Sequence, residues 1–224
     1  MGSANTTGNG NAARKARIEE MRRAEQVRER RNRFLIIGGS VVAVVALVAG
    51  GVFVVKSQSG DDKDTAADGK AASGHFVTGA DGVRTWKGTL GRTHVTKTVK
   101  YPTEPPVGGD HHQVWMNCNG DVYTKAVDNM NAVHSLEHGA VWVTYNSKAA
   151  KADVEALAAK VRKTPYTLMS PDDAQADPVM LTAWGHQRTV TGAGDANLDK
   201  FFEKFVQGEQ TPEPGAACTG GLSQ

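Results

Sequence analysis

Cysteine is scarce in this sequence: Cys118 and Cys218 are the only two in 224 residues. No glycine-rich loop that could cradle a phosphate and no dinucleotide fingerprint is present, which excludes a nucleotide cofactor of the common kinds. Ser135, beside His134, lacks the strand–turn–helix context of a nucleophile elbow, so serine hydrolase chemistry is not expected. No internal repeat is visible. A net positive charge is also missing from most of the chain. Of 26 Lys/Arg and 24 Asp/Glu, ten and four lie in residues 1–56, a net of +6, leaving sixteen and twenty beyond, a net of −4. A mildly acidic domain without a basic patch argues against a nucleic-acid partner.

What the first 56 residues do contain is a long apolar run. Residues 34–55, FLIIGGSVVAVVALVAGGVFVV, carry no charge over 22 positions. As a helix they would cover about 33 Å, enough for a hydrocarbon core of roughly 30 Å. The run exceeds the usual secretory h-region, and no convincing cleavage site follows it, so an uncleaved transmembrane anchor is expected. Arg14, Lys15, Arg17, Arg22, Arg23, Arg28, Arg30, Arg31 and Arg33 precede it, against Lys56 after it. By the positive-inside rule, residues 1–33 form a basic cytoplasmic tail and the C-terminal part is exported. The expected location is the cell membrane, single-pass, with the lipid bilayer as partner through residues 34–55 and room for a membrane-protein partner. Residues 1–13 hold little to bury and predict disorder. Residues 14–33 predict a solvated helix, compatible with contact to anionic head groups. Residues 56–74 read as a flexible linker.

Residues 75–224 are the right size for one extracytoplasmic globular domain. One or two short strands fit residues 82–100. Residues 101–110, YPTEPPVGGD, read as turn and loop. AVWVTY (140–145) is a strand of β-branched and aromatic residues. In residues 147–163, Val154, Leu157, Ala158 and Val161 share a helical face, with Ser147 or Asp153 as N-cap. Short strands are expected at 166–169 and 178–184. A second amphipathic helix is expected at 195–207, burying Leu198, Phe201, Phe202 and Phe205. This predicts an α+β fold: a small mixed sheet with two amphipathic helices packed on it. Trp86, Trp115, Trp142 and Trp184 read as core aromatics.

All seven histidines lie beyond the linker, and five of them, His94, His111, His112, His134 and His138, sit in or beside loop-like sequence. His134 and His138 are four apart, which on a helix stacks both imidazoles on one side. Two rings so placed can reach one first-row ion at about 2.0–2.1 Å. His94 and His111 could complete a tetrahedral set. Spacing alone equally allows histidines that are only hydrogen-bonded near strand ends. HSLEH also matches the inverted zinc-protease pattern with Glu137 as base, but Gly139 and a strand follow at once, leaving a helix of at most two turns. Cys118 and Cys218 fit a disulfide outside the cytoplasm, fastening the Pro/Gly-rich tail to the loop at WMNCNG. The alternative is a Cys118 thiolate that joins His111, His112 and Met116 around copper.

The segments HV-x(5)-YPTEPPVGGDHHQVWMNC, NAVHSLEHGAVWVTY, LTAWG and PEPGAACTGG together resemble the bacterial domain of unknown function 3105 family, over about residues 92–221. The resemblance implies one N-terminal membrane segment and no established activity. It carries over His94, Pro105, Pro106, His111, Trp115, Cys118, His134, Glu137, His138 and Gly139 as recurring positions. Asp110 stands where many members have Pro, His112 is variable, and Asn119–Gly120 lengthen the turn after Cys118.

The resulting expectation is a membrane-anchored protein that binds a transition metal, copper or zinc, through His94, His111, His134 and His138. Glu137 would orient a ligand imidazole by accepting its N–H. Binding or delivery is expected ahead of catalysis. The alternatives are a non-catalytic assembly partner of a membrane complex and a metal-dependent hydrolase.

Overall fold

A computed structural model of the chain describes residues 73–223. The expected basic tail (1–33), transmembrane helix (34–55) and all but the end of the linker (56–74) lie outside the described residues. Among the described residues, no helix is long and apolar enough to cross a membrane.

The fold is α+β, with a mixed sheet of seven strands and three helices among the described residues. The strands are β1 (Ser73–Thr78), β2 (Arg84–Thr89), β3 (Asn119–Val122), β4 (Val141–Tyr145), β5 (Thr167–Pro171), β6 (Val179–Ala183) and β7 (His186–Thr189). They lie in the order β1-β2-β7-β6-β4-β5-β3. β5 runs parallel to both β3 and β4, and every other pair is antiparallel. The middle strands β4, β5 and β6 are buried almost throughout, which is why they read as continuous apolar runs. β1 begins inside the stretch assigned to the linker.

The helices are α1 (Asn129–Glu137), α2 (Lys151–Val161) and α3 (Ala196–Phe205). α2 and α3 are the two expected amphipathic helices. α3 buries Leu198, Phe201, Phe202 and Phe205 and is capped by Asp195, whose side chain accepts from Asn197 N. α2 buries Leu157, Ala158 and Val161, but its N-cap is Ala150, with no side-chain bond. Neither expected cap is used: Asp153 lies in the first turn and accepts from Ala193 N instead, while Ser147 sits in a turn organised by Asn146.

α1 was not among the two packed helices expected, and at nine residues it runs past the two turns allowed around HSLEH. Residues Met130 to Glu137 are all buried. A helix covered on every side leaves no polar stripe, so it has no amphipathic signature. Asp128 starts it, accepting from Met130 N at 2.8 Å and Asn131 N at 3.3 Å. Gly139 stops it at φ +87°, where a side chain would also collide with Gln207 and Thr211. β7 escaped notice too, being short and polar. It pairs with β6 through a two-residue Trp184–Gly185 turn, with Gly185 at φ +69°.

Cys118 and Cys218 form a disulfide, and both are fully buried. This overturns the alternative of a Cys118 thiolate on copper. Around the bond, Cys118 N donates to Cys218 O, Asn117 N to Leu222 O and Leu222 N to Trp115 O, each at 2.8 Å. The tail is thereby laid along the segment that precedes β3. The longer turn at Asn119–Gly120 is accommodated as a bulge in the β3–β5 pairing.

Candidate metal centre

The loop expected at residues 101–110 is a loop, but from Pro105 to Asp110 it is buried. Its polar backbone therefore has to be satisfied internally. Gly185 N donates to Val107 O at 2.7 Å and Tyr101 Oη to Asp110 O at 2.7 Å. This fixes the approach to His111. An isolated parallel bridge then sets His94 beside it: Val95 N donates to His111 O at 2.8 Å and His111 N to Thr93 O at 3.1 Å. Asp110 strengthens the same join by accepting from Thr93 N at 3.0 Å.

α1 brings His134 up from below. The ring centroid of His134 lies 4.8 Å from that of His94 and 4.7 Å from that of His111. One potential ligand atom each from His94, His111, His134 and Glu137 all lie within 4.8 Å of one another. His138, at the C-cap of α1, stays outside this group, although its ring centroid is 4.5 Å from that of His134. The spacing of His134 and His138 thus brings the rings together as expected, while Glu137 takes the place in the donor group that the sequence reading gave to His138. Among the remaining histidines, His112 accepts from Val114 N at 3.1 Å through Nδ1, and His186 packs on Phe205.

The inner part of the group is dry. His111, His134 and Glu137 are 0%, 3% and 1% exposed, whereas His94 is exposed. Three of the rings share one arrangement, which His186, outside the site, also has through Nδ1 at 2.8 Å from Trp184 O. Nδ1 of His111 donates to Gly109 O at 2.8 Å, that of His134 to His112 O at 2.8 Å, and that of His138 to Ala217 O at 2.7 Å. A carbonyl oxygen only accepts, so each Nδ1 carries the hydrogen, and in the neutral ring Nε2 keeps its lone pair. Burial holds the His134 imidazole well down, at about 4, and also lowers that of His138. At neutral pH both lone pairs are therefore available.

Burial alone would raise the Glu137 carboxyl, but His111 and Arg92 outweigh it and hold it at about 2. Glu137 is an anion across the physiological range. His111 Nε2 lies 3.0 Å from Glu137 Oε2 yet has no aligned hydrogen-bond partner. A buried polar atom left so costs about 1–3 kcal/mol. A proton on His111 Nε2 makes this contact an ion pair with Glu137, and a metal ion bound to both atoms would take that proton's place. The donor set of imidazoles with one carboxylate suits a first-row metal ion. Tetrahedral donors at about 2.1 Å from an ion stand roughly 3.4 Å apart, so the widest pair here would draw inward on loading.

Arg92 was not foreseen. Its Nε donates to Glu137 Oε1 at 2.5 Å. Trp115, expected in the core, instead lies at the site, with ring centroids 5.6 Å from His134 and 4.9 Å from His138. A usable signal for Arg92 existed in the sequence: it stands two residues before His94, and alternate residues of an extended segment lean the same way.

A family model described as a protein of unknown function, DUF3105, matches residues 94–220, more than half of the chain. The chain belongs to the DUF3105 family. No curated protein and no solved structure matches it. The matched stretch of this DUF3105 chain opens on His94 and closes beyond Cys218, so all four converging donors and the disulfide fall within it, and Arg92 lies just before it.

Proposed function

We propose that this DUF3105 chain is a membrane-anchored metal-binding protein. It holds a transition ion, copper or zinc, outside the cytoplasm at His94, His111, His134 and Glu137, with His138 beside them. The supporting observation is the convergence of His94, His111, His134 and Glu137, with one potential ligand atom of each within 4.8 Å of the others; Nδ1 of His111, of His134 and of His138 is committed to a backbone carbonyl, which leaves Nε2 as the nitrogen that could meet an ion. That is how ligand imidazoles are normally oriented. The anchor is residues 34–55, read from their length and lack of charge, and the acidic outer domain has no nucleic-acid partner. A buried disulfide in the domain suits an oxidising compartment.

Four protein donors would complete a tetrahedral shell, as in sites that hold metal without acting on a substrate. The exposed position of His94 gives the ion a way in and out. Storage or hand-over to a partner in the same membrane is therefore the favoured role, ahead of a metal-dependent hydrolase, which needs an open position. One observation favours a second reading. The same three Nδ1–H bonds pin the 109–112 turn and the tail, as they would in a purely structural partner of a membrane complex.

Metal titration separates the two. Under the metal reading, the detergent-solubilised chain retains copper or zinc after purification, and metal at a hundredfold excess over Kd stabilises it by about 2.7 kcal/mol. A metal-free protein whose melting temperature does not move with either ion would leave only the structural reading.

A further inference from the structure

The charges around Glu137 continue past the donor group. Arg92 Nε donates to Glu137 Oε1 at 2.5 Å, and Arg92 Nη2 donates to Glu213 Oε1 at 3.3 Å. Glu213 Oε2 in turn lies 3.8 Å from His138 Nε2. The Arg92 side chain, 48% exposed, thus spans a carboxylate that is 2% exposed and another that is 43% exposed. Glu213 is itself held, because Glu213 N donates to Glu137 O at 3.1 Å. The two ends of Glu137 therefore face different things: Oε1 meets a guanidinium, and Oε2 meets His111 Nε2 at 3.0 Å.

We propose that Arg92 is a positioning residue for the metal centre: its guanidinium occupies one oxygen of Glu137, so that the carboxylate offers the ion a single donor, and Glu213 keeps Arg92 in place. This rests on the metal reading of the site. A free carboxylate binds a cation through one oxygen or both. Three imidazoles with one oxygen make four donors, and with two oxygens they make five. A charge-assisted bond from Arg92 to Oε1 has to break before the second oxygen can turn inward. The guanidinium reaches the two carboxylates from two separate nitrogens in one plane, whereas a lysine would have to bring both to a single nitrogen. Arg92 and His94 leave the chain two residues apart, so one segment delivers both the outermost imidazole and the clamp on the innermost carboxylate.

Cobalt(II) in place of the native ion reads this directly, because its visible ligand-field absorption is intense in a tetrahedral site and weak in a five-coordinate one. The full chain loaded with cobalt is expected to show the intense spectrum. In Arg92→Gln the band should fall by at least half, and affinity should drop about ten- to a hundredfold, as for other residues that orient ligands. Glu213→Gln should shift both in the same direction by less. If Arg92→Gln does not fold, Arg92→Lys keeps a cation without the fork, and a band between the two extremes is expected. A variant with the wild-type spectrum and affinity would reduce Arg92 to a structural ion pair and leave the metal reading intact. A wild-type chain that takes up no cobalt, copper or zinc would remove the metal reading and this proposal together.

Discussion

His111, His134 and Glu137 are buried, whereas His94, on the other side of the same donor group, faces solvent. The two halves are also held differently. On the inner side, His111 and His134 are fixed through Nδ1 to the backbone of Gly109 and His112, so they cannot rotate without breaking a buried hydrogen bond. On the outer side, the backbone of His94 is pinned by its bridge to His111, and its ring rests against His134. Arg92 and Glu213 belong to this outer side as well, bridging the buried carboxylate to solvent. The contrast separates two tasks. The inner half is fixed at the expense of desolvated polar groups, and on the proposed metal reading the outer half is the side through which an ion would arrive or leave.

The largest effect should come from cutting the element that touches both halves. The tail carries Ala217 O, which holds His138, and Glu213, which holds Arg92, and it is fastened by a disulfide that closes a loop of 100 residues. Replacing Cys118 and Cys218 together by Ser should lower stability by about 4–5 kcal/mol on the chain-entropy view. Urea denaturation checks this. A loss below about 1 kcal/mol would mean that the backbone bonds of the tail, not the covalent link, set the geometry of the outer half.

Acid should weaken the inner half. His134 is held at about 4 when folded, against 6.5 for a free imidazole. Between those values the unfolded chain binds a proton that the folded chain refuses, so stability falls as pH drops through this window, by about 3 kcal/mol in all. Glu137, at about 2 against 4.5, is ionised when folded and becomes protonated first in the unfolded chain. Its contribution, present above 4.5, is lost on going down to 2, again by roughly 3 kcal/mol. Thermal melts of the metal-free protein should thus descend without a plateau from pH 6.5 to 2, in an upper stage down to 4 and a lower stage that begins at 4.5. His134→Gln should shrink the first stage, to which the buried His138 and His186 also contribute, and keep the second. A single stage near pH 4 in the wild type would contradict the assignment of the upper window to a buried imidazole.

How far the sequence disclosed these halves depended on contrast along the chain. α3 was readable because Leu198, Phe201, Phe202 and Phe205 alternate with charged positions. β4 was readable because VWVTY is β-branched and aromatic. α1 gave no such contrast, since it is buried all round, and its histidines were singled out by spacing without the helix that carries them. His94, His111 and His134 could be named from the sequence. The exchange of His138 for Glu137 could not, because it follows from where α1 ends: Glu137 is the last helical residue and His138 turns away to the tail. Arg92 and Glu213, 121 residues apart, meet only through the fold.

The smallest change in stability should accompany one of the clearest changes in binding. His94 is exposed, so His94→Ala should alter stability by no more than about 0.5 kcal/mol. In the proposed site its imidazole is nevertheless one of four donors, and its removal should weaken copper or zinc binding at least tenfold, about 1.4 kcal/mol or more. His134→Ala should lose both binding and stability, because it also leaves His112 O without its donor in a buried setting. The pair of variants, compared by metal titration and by urea denaturation, tests whether the outer half serves binding alone. The quenching of Trp115, 5.6 Å from His134 between ring centroids, supplies the signal for copper. If His94→Ala binds as the wild type does, the outer donor is a different group. His138 would be the first to examine: its Nε2 is bare, its ring is next to that of His134, and it faces the same outer carboxylate that holds Arg92.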